Sequence, residues 1–160
     1  MSNTCLLQSA TRILAAGLAL AILSLPAAGF TAPDASVVQK EQAAMQGTWI
    51  PQEAKIGGQD FPAPVLKSLR LSLQGDRYEV STGKAVDKGV VAYDPTTMPR
   101  SMSITGQEGP NKGKTLLAIY ELNGDELKIC YDLSGEKTPT EFVSEPATQS
   151  LFVKYRREKR

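Results

Sequence analysis

From Thr48 onward, apolar residues fall at every second position and turn residues interrupt the pattern at short intervals. A period of two puts alternate side chains on opposite faces of an extended strand, so the pattern calls for half-buried β-sheet. Leu69, Leu71 and Leu73 alternate with Arg70, Ser72 and Gln74. Gly75-Asp76 turns the chain, and Tyr78 and Val80 then alternate with Arg77, Glu79 and Ser81. A Gly83-Lys84 turn leads into the stretch 89–93, and Asp94-Pro95-Thr96-Thr97-Met98-Pro99 makes a rigid reversal before Met102 and Ile104.

The strongest local signal is Asn123-Gly124-Asp125-Glu126, set between strands expected at 115–122 and 127–132. Asn-Gly between apolar strands marks a hairpin. A two-residue loop at Asn123-Gly124 would oppose Glu121 and Glu126, two like charges. A four-residue loop opposes Glu121 with Lys128, Leu122 with Leu127 and Tyr120 with Ile129. Cross-strand pairs contribute up to about 1 kcal/mol each, which selects the second register. Two further strands are expected at 140–144 and 151–155. Helical patterning is confined to 37–45, with Val37, Val38, Ala44 and Met45 on one side and Gly47 ending it, and to 62–69. Eight or nine short strands without crossover helices predict an all-β fold: a single antiparallel up-and-down barrel or a sandwich, preceded by a short helix.

The first 29 residues have a different character. Arg12 is their only charge, residues 13–25 are apolar, and Pro26-Ala27-Ala28-Gly29 is rich in small residues. These are the three parts of a secretory signal peptide. The competing reading, an uncleaved anchor, meets an apolar run shorter than the roughly 20 residues a bilayer helix needs. The expected organisation is a signal peptide at 1–29, a linker and short helix at 30–45, and a β-barrel domain at 46–160. Export places the domain in the periplasm or outside the cell, with no stable membrane span after cleavage. Cys5 leaves with the leader, so the mature chain keeps Cys130 alone and forms no internal disulfide. It also carries 17 basic and 17 acidic residues, a balance that gives no general attraction to nucleic acid.

The chain contains no histidine. That removes Ser-His-Asp and Cys-His catalysis and histidine-based metal sites. Carboxylate pairs stay open, but none stands out by spacing. Gly109-Pro110-Asn111-Lys112-Gly113-Lys114-Thr115 has three residues between its glycines where a phosphate loop has four, and a strand pattern follows it, so it reads as a shaped connection. Cys130 lies on a face with Lys128, which would lower a thiol pKa, yet no base or second cysteine accompanies it; the structural reading is preferred. Trp49 in Gly47-Thr48-Trp49 reads as a plug closing one barrel end, with ligand contact as the alternative. Lys154, Arg156 or Arg157 would lie across its indole.

From about residue 45 to 155 the chain resembles an uncharacterised domain family abundant in planctomycete bacteria. Carrying the likeness are Gln46-Gly47-Thr48-Trp49, the run Glu108-Gly109-Pro110-Asn111-Lys112-Gly113-Lys114-Thr115, Leu122-Asn123-Gly124-Asp125, Thr138-Pro139-Thr140-Glu141-Phe142 and Leu151-Phe152-Val153. The resemblance implies a lipocalin-like barrel and no catalytic residues or cofactor. A count of about eight strands, enough to enclose one small ligand, makes a non-enzymatic module holding a small, partly apolar molecule the leading reading, with Trp49, Tyr120, Ile129, Tyr131 and Phe142 as candidate ligand contacts. A cell-envelope interaction protein with a filled barrel is the alternative, acting through the loops at 61–64 and 108–114. A carboxylate-dependent enzyme is a third reading.

Overall fold

In the computed structural model, which describes residues 34–83 and 85–159, the alternating strands close into a ring. Helix α1 (Ala35–Met45) leads into strands β1 (Gly47–Ile56), β2 (Gln59–Asp60), then helix α2 (Ala63–Ser68) and strands β3 (Leu69–Gln74), β4 (Arg77–Thr82), β5 (Ala85–Asp94), β6 (Arg100–Glu108), β7 (Thr115–Asn123), β8 (Glu126–Asp132) and β9 (Ser150–Arg157). Each strand from β3 to β9 pairs antiparallel with the next, β1 pairs with β3, and β9 returns to β1. Eight strands therefore form a closed up-and-down barrel, and two-residue β2 hangs from the end of β1. Closure gives each of those eight strands a partner on both sides, the β1–β3 ladder being the shortest.

Cross-strand pairing follows the charges. Glu121 faces Lys128, Leu122 faces Leu127 and Tyr120 faces Ile129, and Lys128 Nζ lies 2.7 Å from Glu121 Oε1. Asn123 also pairs with Glu126, so the turn tightens to Gly124-Asp125, with Gly124 at a φ of 60°. Residues 140–144 form no strand, contrary to expectation. They belong to a connection flanked by Pro139 and Pro146, while β8 pairs directly with β9 and leaves no ladder for them to join. Asp132 anchors the start of this connection by accepting from the backbone amides of Ser134, Glu136 and Lys137. Burial works against the ionised carboxyl, but these hydrogen bonds outweigh it and hold Asp132 below its usual range.

Helix α1 also turns a different face to the barrel from the one expected. Val38, Glu41, Gln42 and Met45 are its covered positions, a spacing of three and four, whereas Val37 and Ala44 are exposed. Polar Glu41 belongs to this stripe because Arg100 Nη1 donates to it at 2.6 Å. Met45, at the end of α1, is fully buried and its carbonyl accepts the indole N–H of Trp49 at 2.9 Å. Trp49 is fully buried and the Arg157 guanidinium lies 4.2 Å from its ring centroid. That guanidinium donates to the carbonyls of Gln46 and Ala44 and pairs with Asp125. Trp49 thus closes one end of the barrel, and of the three basic residues considered Arg157 covers it.

Trp49→Ala should lower unfolding free energy by about 3–5 kcal/mol, the usual cost of truncating a buried aromatic. Arg157→Lys should cost roughly 1–2 kcal/mol, because lysine lacks the planar fork that stacks and donates together. Chemical denaturation followed by tryptophan fluorescence, or by circular dichroism for the first variant, checks both.

Candidate functional site

The plugged end determines where space remains. Inward side chains of β3 to β9 surround an apolar cavity of about 250 Å³, with Leu71, Val91, Ile104, Ile129 and Val153 among its walls. Strand β1 pairs with β3 only from Gly47 to Trp49, so the two diverge towards the other end. Phe61 covers that divergence: its amide donates to the Ala54 carbonyl at 2.9 Å and its ring lines the cavity. The volume lies between the roughly 150 Å³ that admits benzene and the roughly 300 Å³ at which drug-sized pockets begin.

The mouth lies at the end where β4 meets β5 and β6 leads towards β7, and among the described residues its lining carries one carboxylate. Asp87 occupies an inward position of β5 and is only 9% exposed. Its Oδ2 accepts from the Tyr78 hydroxyl at 2.9 Å and from Asn111 Nδ2 at 2.9 Å; its Oδ1 accepts from the Asn111 amide at 3.0 Å. Asn111 and Pro110 come from the β6–β7 connection, and both line the cavity. Asp87 therefore fastens this loop across the mouth.

Two glycines make the fastening possible. A Cβ on Gly106 would stand 2.0 Å from the Asn111 carbonyl oxygen, so only glycine lets the loop fold back so closely. Gly109, at a φ of 88°, sits where a side chain would meet the Val86 carbonyl at 2.4 Å. The loop closes on itself through Gly113 N–H to the Gly106 carbonyl and Gly106 N–H to the Lys114 carbonyl. Thr115 then begins a strand.

All five tyrosines have hydroxyls held protonated. Burial, aided by the Asp87 hydrogen bond and charge, raises Tyr78; burial raises Tyr131 well above its ordinary value and lifts Tyr155 to about 12. Tyr93 and Tyr120, packed edge to face at 5.8 Å, are raised first by burial and then by the charge of Glu41. Neither of these two hydroxyls hydrogen-bonds to a described residue. The Cys130 thiol is raised by burial as well; it is covered by the 133–149 connection and lies 3.2 Å from the Val143 carbonyl.

Of the expected ligand contacts, Ile129 and Tyr131 line the cavity. Trp49 and Tyr120 point inward but belong to the packed closed end, and Phe142 is half-buried in the connection outside the strands. Tyr78, Asp87 and Asn111 were not anticipated. The Asp87-Gly89-Val91-Tyr93 alternation contained the signal for Asp87, but only pairing partners say which face is inside. The chain matches no protein-family model, no curated protein and no solved structure.

Raised tyrosine pKa values mean that the unfolded chain releases protons near pH 10 while the folded chain does not. The resulting stability is fully present below pH 10 and is lost as pH rises towards the folded-state values. Ultraviolet titration should show tyrosinate appearing late and together with unfolding. At neutral pH, Gly106→Ala should push Asn111 off Asp87. Two lost hydrogen bonds of about 1 kcal/mol each predict roughly thirtyfold faster exchange of the Asn111 amide, read by hydrogen-exchange NMR.

Proposed function

We propose that this protein is an exported, non-enzymatic binding module that holds one small, largely apolar molecule in its barrel. The observation that carries the reading is the 250 Å³ apolar cavity behind the Asp87–Asn111 fastening. A barrel of about eight strands has room either to fill with side chains or to keep one small ligand. Here the two halves differ: Met45, Trp49, Tyr120 and Leu127 fill one end, and the other retains space. The filled-barrel interaction protein has less support for that reason. Acid–base catalysis by paired carboxylates has less as well, since among the described residues Asp87 is the one acid in the lining.

Export rests on the leader-like residues 1–29, which lie outside the described residues. Among the described residues no helix is long and apolar enough to cross a membrane. A periplasmic or extracellular location, and membership of the lipocalin-like planctomycete family, belong to the same proposal.

Native mass spectrometry of the mature chain purified from its own cells tests it. The expected result is a small adduct that is lost on denaturation and absent from Ile104→Phe, which extends a wall side chain into the cavity. An unliganded wild-type chain that also takes up no small apolar fluorophore overturns the proposal.

A further inference from the structure

We infer that the occupant of this cavity is a small apolar molecule bearing one protonated amine, held by Asp87. The inference rests on the binding-module reading and adds the chemical class of the ligand. A carboxylate as buried as Asp87 is normally matched by a cation, because removing an ion from water is costly unless an opposite charge answers it. Its three donors are all neutral: the Tyr78 hydroxyl, the Asn111 amide and Asn111 Nδ2. Among the described residues no lysine or arginine forms an ion pair with it.

A carboxylate offers about four acceptor positions, and three are occupied. Asp87 also lines the cavity, so an acceptor position remains for a donor arriving from inside. An ammonium group fits best, since a charge-assisted hydrogen bond is about twice as strong as a neutral one. Among the described residues, other ionisable groups do not offset this negative site. The lining tyrosines stay neutral, and Lys112 and Lys114 of the loop are exposed and outside the lining. Position sets orientation: with Asp87 at the mouth and aliphatic walls below it, the ammonium sits under the loop and the hydrocarbon points towards the closed end. An anionic amphiphile of the same shape would bring like charge against Asp87.

The experiment compares three molecules of matched length, heptylamine, heptanol and heptanoate, by titration calorimetry on the mature chain at neutral pH. Heptylamine should bind at least tenfold more tightly than heptanol, and heptanoate most weakly. Asp87→Asn should bring heptylamine affinity down to that of heptanol measured on the same variant, with a wild-type circular dichroism spectrum showing that the variant is folded. Equal affinity for all three, or preference for the carboxylate, overturns the amine assignment and leaves the cavity reading standing. Failure of all three to bind the wild type removes both.

Discussion

Closure of β1 against β9, secured where Arg157 lies over Trp49, is the constraint on which the other features depend. Trp49 pairs with Leu71 on one side and Arg157 on the other, so a single residue joins strands β1, β3 and β9 of the ring. The guanidinium also satisfies carbonyls at the end of α1, which would otherwise lack partners. One contact thus closes the sheet, seats the helix and fills the base of the barrel. With the base filled, ligand space can persist only at the opposite end.

The open end has its own physical cause. A short β1–β3 ladder lets the strands diverge, and a single ring, Phe61, stands where more main-chain pairing would otherwise draw the wall inward. Helix α2 buries no residue fully and packs its Leu66 against the core. The mouth is covered by a loop whose shape comes from glycine at positions where any Cβ would collide with backbone. Cavity and cover arise from different sequence features, which is why a filled base and a spacious mouth coexist in one barrel.

Much of the architecture was legible because its causes are local. Alternation located β3, β4 and β6, and the charge pair Glu121–Lys128 selected the β7–β8 register correctly. The 140–144 segment was misread because alternation reports exposure, not partners, and β9 had already taken the free edge of β8. The site was less legible. Ile129 and Tyr131 were found through periodicity, but Asp87 resembles any surface acid until β5 is placed in register with β4 and β6. Asn111 is harder still, because its contact with Asp87 spans 24 residues and depends on a loop fold that no periodic pattern encodes.

The same carboxylate fastens the cover and faces the cavity, which couples the two. Without a cation, Asp87 relies on neutral donors, two of them from the loop that folds across the mouth. Releasing that loop breaks two hydrogen bonds of about 1 kcal/mol each, a small part of the 5–15 kcal/mol that holds a typical domain together. Opening exposes the carboxylate to water, so its desolvation cost falls as its donors leave. A ligand cation instead compensates the charge with the loop closed and therefore favours the covered state. On the proposed reading the Trp49 end takes no part in this exchange, and entry of a ligand would leave the closure of the barrel intact.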